Sequence, residues 1–260
     1  MMARRKRAAT RSRGGALTTV ARTANEHRND RPFVFINMAM TGDGKIATAN
    51  RAVSSFGSKG DQEHLYELRA TADAVMAGAR TIDLNEIKLG PGGRRFRQLR
   101  LRNGLAEFNL RVVVSGSGTI APSAAIFRHH FSPIVVLTSK RAPRLKLKLL
   151  RSLSDDVHVS GKEQVDFRDA LRYLRTKWKV KRLLCEGGGE LNAALLEAGL
   201  VDEVHVTICP KVFGGAAAPT IAEGRGAKLL REATKLELKS STRVGDELFL
   251  VYRVRRQRGT

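Results

Sequence analysis

The chain has 260 residues, 42% of them hydrophobic and 5% aromatic, with 47 Lys plus Arg against 25 Asp plus Glu. It is long enough to bury a substantial core, and no stretch approaches the roughly 20 apolar residues of a membrane-spanning helix, so a soluble, cytoplasmic protein is expected. The formal charge of +22 is spread along the chain, which favours phosphorylated or polyanionic partners through a long-range field rather than one recognition element.

Residues 1–31 carry Arg4, Arg5, Lys6, Arg7, Arg11 and Arg13 with little apolar periodicity, and read as a disordered basic tail able to touch polyanions nonspecifically. No continuous apolar region follows those charges, so a secretory signal is not expected. Phe33 to Ala39 is almost wholly apolar and β-rich, the pattern of a strand covered on both faces. It leads into Thr41-Gly42-Asp43-Gly44-Lys45-Ile46-Ala47, a glycine-punctuated turn with one acid and one base. A helix is expected from about Asp61 to Ala72, with Ser58 as its cap and Leu65 and Leu68 on its apolar face.

Ala74 to Gly78, Arg111 to Ser115 and Pro133 to Ser139 read as further strands, the last two opening onto hydroxyl-rich loops. Residues 85–97 look irregular, and 90–111 look like a basic insertion. Asp166 to Trp178 forms a strong amphipathic helix in which Trp178 is a core or interface residue rather than a base-stacking platform. Leu183 to Cys185 then ends a buried strand, and Leu191, Ala194, Leu195 and Ala198 recur at helical spacing, so Glu186-Gly187-Gly188-Gly189-Glu190 lies on a strand-to-helix turn. Glycines there permit close backbone approach, and the free N–H groups of a helix start suit a phosphate. Val201 to Cys209 is a strand whose alternation puts His205 on a solvated face, and Leu236 to Arg243 pairs with Glu247 to Val254 as an edge hairpin. Cys185 and Cys209 have no metal-ligand spacing and read as buried hydrophobes of a reducing compartment. One domain over 32–256, followed by a basic end at 257–260, accommodates all of this.

Several function classes are disfavoured. GxGxxG, Walker A and HExxH spacings are missing, no aromatic-interleaved nucleic-acid platform occurs, and no His-x-Glu with a later Pro-Cys-x-x-Cys marks a deaminase. Taken in order, the Thr41–Ala47 turn, Leu68-Arg69-Ala70 with Ala72-Asp73-Ala74-Val75, Thr81, Glu186 to Leu191, Leu195 to Glu203 and Gly214-Gly215 resemble the reductase domain of riboflavin biosynthesis. The resemblance covers about residues 32–254. It implies an α/β, dihydrofolate-reductase-like three-layer fold: a mixed, mostly parallel sheet with helices on both faces and a C-terminal antiparallel hairpin.

It further implies reduction of the ring-opened ribose of 5-amino-6-(5-phosphoribosylamino)uracil by NADPH in a homodimer, the alternative being another pterin-like or phosphorylated substrate. Carried over residue by residue, Lys45 and Glu186 face the reacting carbon or its imine tautomer, and Arg69 holds the substrate phosphate or its neighbouring groups by a bidentate contact. Ser54, Leu89 and Arg94 line the substrate pocket. Ala39, Phe56, Thr81, Asn85 and the turn Gly188, Gly189, Glu190, Leu191, Asn192, Ala193 and Ala194 contact the cofactor. No metal is implied. For the 2′-phosphate of NADPH, composition offers Ser139, Lys140 and Arg141, with Ser115 to Ser117 as the competing loop.

Overall fold

The computed structural model describes residues 30–51, 56–84 and 86–255. In chain order its elements are β1 (Phe33–Thr41), α1 (Lys59–Arg69), β2 (Ala74–Gly78), α2 (Ala79–Leu84), α3 (Arg94–Arg102), β3 (Leu110–Val114), α4 (Ala125–Arg128), β4 (Ile134–Thr138), α5 (Arg144–Leu153), β5 (Asp156–Val159), α6 (Phe167–Thr176), β6 (Arg182–Cys185), α7 (Gly189–Glu197), β7 (Glu203–Cys209), β8 (Lys235–Val244) and β9 (Glu247–Arg255). They build one sheet of order β5-β4-β3-β2-β6-β1-β7-β9-β8, in which β1 to β7 are parallel and the last two strands antiparallel.

The apolar run of β1 needs two covered faces and has them. Val34 and Ile36 pack into the cluster beneath α6 and α7, while Phe35 packs with Leu68 of α1 on the other face. The expected cap forms, Ser58 Oγ accepting from the Gly60 and Asp61 amides at α1, and Asp166, expected as the first helical residue, instead caps α6 by accepting from the Arg168 and Asp169 amides. Because the strands are parallel, the Lys45 turn, the start of α2, the Ser115 loop, the Ser139 loop and the glycine turn all open at one end of the sheet, where α/β folds bind ligands.

Four local expectations change. The stretch 90–111 is no insertion: α3 packs against α1, and its Arg100 donates to the carbonyls of Arg69 and Ala72 at 2.6 and 2.7 Å, closing the α1 C-terminus. Burial pushes the Arg100 guanidinium down to about 10, so the basic residue belongs to the interior. His205 is 3% exposed rather than solvated, because α1 covers that face with His64 and the neighbouring β1 sets Phe35 against it. Arg31, the last residue of the expected tail, is instead buried and grips Asp202 through two bonds of 2.7 and 2.8 Å. Finally α5 and β5 went unread, because the alternating Leu-Lys-Leu-Lys-Leu run of 145–149 masks helical periodicity; Leu150 alone is fully buried there. The basic tail, apart from residues 30 and 31, lies outside the described residues, as does the end 256–260. Among the described residues no helix is long and apolar enough to cross a membrane, and no cluster of His, Cys, Asp and Glu could hold a metal ion.

Candidate active site

The glycine turn joins β6 to α7 and is held from three sides. Gly187 has a φ of +71°, and a Cβ there would lie 2.8 Å from Met38 Sδ. A Cβ on Gly189 would stand 2.4 Å from the Thr220 carbonyl oxygen, while Gly188 has only Thr81 Oγ1 within reach, at 3.5 Å. Two of the three glycines are therefore demanded by the protein's own packing, and only Gly188 leaves its open side to a ligand. Its amide donates to Thr81 Oγ1 at 3.2 Å, and no side chain caps the α7 start. Uncapped amides at the positive end of a nine-residue helix suit an anion.

This turn forms one wall of a cavity of about 770 Å³, within the usual span of small-molecule sites. Of the residues expected to contact the cofactor, Thr81, Gly188, Gly189, Glu190, Leu191 and Ala194 line it. Ser115, Ser117 and Arg141 line it too, so the two loops weighed for the 2′-phosphate meet in the same space. Their side chains differ in availability. Ser139 is buried with its hydroxyl donating to Gly116 O at 2.7 Å, and the Ser115 hydroxyl donates to Thr119 O at 2.9 Å. That leaves exposed Arg141 as the cation of this wall, whereas Lys140 is not among the lining residues.

Other expected contacts move. Asn192 is buried and binds Ile221 O at 2.9 Å through its amide nitrogen, and buried Ala193 faces Gly224. Both are on the inner side of α7, away from the cavity. Ala39 pairs in the sheet with Thr207, and Phe56 meets the Phe213 ring edge at 5.1 Å, neither lining the cavity. Ser54 and Asn85 lie outside the described residues. Leu89, expected in the substrate pocket, is 1% exposed at a φ of +52° and packs into the α1-side core. Arg94 is the exposed first residue of α3, because the helix that begins there turns Phe96 and Arg100 inward instead.

The residues expected to carry the chemistry, Lys45 and Glu186, do not line this cavity but are close in sequence to Ile46 and Gly188, which do. Asp43 accepts from Thr41 Oγ1 and from the amides of Phe213 and Gly214, fixing the turn that carries Lys45; the Thr41 hydroxyl bond is the main reason its carboxyl sits below the usual range. Lys45 Nζ donates to Ala218 O at 3.1 Å, and its backbone bridges Thr220. The segment 218–223 continues from there to α7, with the Glu223 amide donating to Gly189 O at 3.0 Å. This strap joins the lysine turn to the glycine turn, and its small-residue sequence carries no periodicity by which to find it. At the mouth, Arg51 pairs with Glu223 at 3.2 Å and Arg80 with Glu190 at 3.1 Å, two arginines that motif reading passed over. Glu190 is thus a rim residue, distinct from Glu186.

Glu186 points to the α1 face, where Arg69 holds it: Nε to Oε1 and Nη2 to Oε2, both 2.6 Å, with Nη1 on Gly90 O at 2.6 Å. The fork expected to seize a substrate phosphate is turned to a carboxylate. Burial disfavours the guanidinium charge, but Glu186 more than offsets this, and Arg69 lies above its ordinary value.

The model of one protein family, the RibD C-terminal domain, matches residues 32–250. The chain belongs to that family. Among curated relatives of this RibD C-terminal domain, the 2,5-diamino-6-ribosylamino-4(3H)-pyrimidinone 5′-phosphate reductase of Methanothermobacter thermautotrophicus is 35% identical over 225 residues, covering 86% of this chain and 99% of that protein. Riboflavin biosynthesis protein RibD of Actinobacillus pleuropneumoniae is 30% identical over 85% of this chain, which spans 57% of that longer protein. A pyrimidine reductase-like protein of Corynebacterium diphtheriae shares the fold with a TM-score of 0.72 at 21% identity, over 88% of this chain and 94% of that one.

Proposed function

We propose that this protein is an NADPH-dependent reductase of a ribosylaminopyrimidine 5′-phosphate, acting in riboflavin synthesis in the cytoplasm. The observation that carries the reading is the 770 Å³ cavity running from the α7 start to Ser117 and Arg141, in a chain of this family. Its donor set fits a dinucleotide: helix amides at one end for a pyrophosphate, a hydroxyl and a guanidinium at the other for a 2′-phosphate. The bound nicotinamide supplies the hydride. The protein's residues hold the ribose C1′ beside it and manage charge, which is where positioning and electrostatics contribute most.

Reduction breaks the C1′–O4′ bond of the ribose, adds the hydride at C1′ and requires one proton at O4′. Lys45 Nζ, braced by Ala218 O, is the proton source in this reading, and Glu186 is assigned to the C1′–N bond. The relatives' names refine the expected substrate. The protein matched over 99% of its length is named for the diaminopyrimidinone rather than the uracil, so the diamino compound is the favoured one. An NADPH-oxidation assay with both phosphates, and dihydrofolate as control, decides. Turnover of dihydrofolate alone, or of none, would refute the proposal. A homodimer belongs to the same reading, supported by the exposed Leu236, Leu238 and Leu248 on the C-terminal hairpin. Light scattering of Leu238→Lys should show monomers, and an unchanged dimer mass would count against that face.

A further inference from the structure

The charge that lines the cavity does not by itself suit a dinucleotide. Among the described residues on its walls are three arginines, Arg51, Arg80 and Arg141, against four acidic side chains, Asp83, Glu163, Glu190 and Glu223. A dinucleotide brings further negative charge into that space, and like charges at close range oppose binding. Two of the acids stand at the glycine turn. Glu190 follows Gly189 in the first turn of α7, and the Glu223 Cγ lies 2.8 Å from where a Cβ on Gly189 would stand. Each of the two holds an arginine, Arg51 Nη2 donating to Glu223 Oε1 at 3.2 Å and Arg80 Nη1 to Glu190 Oε1 at 3.1 Å.

Both arginines are set beside the turn by their backbones. Arg80 precedes Thr81, whose hydroxyl oxygen accepts from the Gly188 amide. Arg51 has a φ of +59°, and its amide donates to Thr48 O at 2.8 Å. A left-handed non-glycine residue costs energy, and such residues cluster where ligands are gripped. The pairs themselves are weak. Each uses one guanidinium nitrogen, unlike the two-point grip of Arg69 on Glu186, and the arginine side chains are 40% and 59% exposed. An exposed ion pair contributes little, whereas a guanidinium meets a phosphate through two parallel charge-assisted bonds.

We infer that Arg51 and Arg80 are cofactor-binding residues that exchange partners, leaving Glu223 and Glu190 for the pyrophosphate of the dinucleotide. This rests on the proposed reductase function and deepens it. The two carboxylates are placeholders: they keep the guanidiniums at the mouth beside Gly188 and Gly189, and phosphate oxygens displace them. Because every binding event has to break both pairs, the carboxylates also lower cofactor affinity, which suits a cofactor that must leave after each turnover.

The test compares NADPH, titrated by fluorescence, with 2′-AMP, titrated by calorimetry, which keeps the adenosine and the 2′-phosphate but has no pyrophosphate. Arg51→Ala and Arg80→Ala are each expected to weaken NADPH about tenfold and to leave 2′-AMP within about twofold, the scale of a charge-assisted contact made only to the pyrophosphate. Glu190→Gln and Glu223→Gln, with the competing charge removed, should tighten NADPH about threefold. Arg141→Ala is the contrast and should weaken both ligands. Unchanged NADPH binding in the two arginine variants, or an equal loss on 2′-AMP, would overturn the inference. So would weaker NADPH binding in the glutamine variants, since the pairs would then be a scaffold that the cofactor needs intact. Thermal melts check folding, and where an alanine variant does not fold the glutamine variants decide alone. Wild-type protein that binds no NADPH would remove the reductase reading together with this inference, whereas wild-type binding matched by every variant removes the inference alone.

Discussion

The two ends of the site are built by opposite means. The proposed cofactor end is open and made mainly of backbone: a helix start, glycines and a loop pair around a 770 Å³ cavity. The proposed chemical end is made of side chains, with a largely buried carboxylate gripped by a guanidinium at 2.6 Å and a half-buried lysine braced on Ala218 O. Backbone donors recognise what every dinucleotide shares, and they tolerate water. A paired carboxylate gains from burial, since charge acts further where solvent is excluded, but it tolerates little misplacement. The strap over 218–223 couples the two ends by bonding to both turns.

Variants can break or sharpen that contrast. The largest effects belong to the chemical end. Lys45→Ala and Glu186→Gln are each expected to lower kcat by about 100-fold or more while NADPH affinity stays within a fewfold, since general-acid and electrostatic groups contribute on that scale. Stopped-flow turnover beside NADPH fluorescence titration measures both, and equal turnover with wild type would remove these residues from the chemistry. At the cofactor end, Arg141→Ala should shift the NADPH-to-NADH preference by about tenfold, the scale of one charge-assisted contact to the 2′-phosphate. Lys140→Ala should leave the ratio alone, and the reverse pattern would move the phosphate to the neighbouring residue.

The smallest expected effect tests the dryness behind the glycine turn. Burial pushes the Cys185 thiol up to about 12, which leaves little thiolate at pH 8. A thiol reagent should therefore fail to label Cys185 in native protein and label it fully after denaturation. Rapid native labelling would show that the turn opens, and with it the packing of Gly187 against Met38.

Legibility follows range. The β6–α7 turn, the Ser58 cap and the terminal hairpin depend on neighbours in sequence, so apolar periodicity and turn residues revealed them. The glycines were visible, but two of them serve Met38 and Thr220 rather than a ligand, a distinction made by residues far along the chain. Leu89 and Arg94 were assigned by their place in a motif. Burial sends one to the core, and helix phase sends the other to solvent. His205 was misplaced because alternation assumes one wet face, whereas α1 covers the His205 face and the α6 and α7 cluster covers the other.

By itself, then, the sequence determined which turns could meet a phosphate and which residue types could carry charge at a reacting carbon, because backbone conformation and titratable chemistry are local properties. Only the tertiary structure decided the partners: Arg69 for Glu186, Ala218 O for Lys45, and Arg141 across the cavity from α7. A charged side chain is directed by whatever lies within a few ångströms, and in a parallel sheet those neighbours come from strands and helices far apart in the chain.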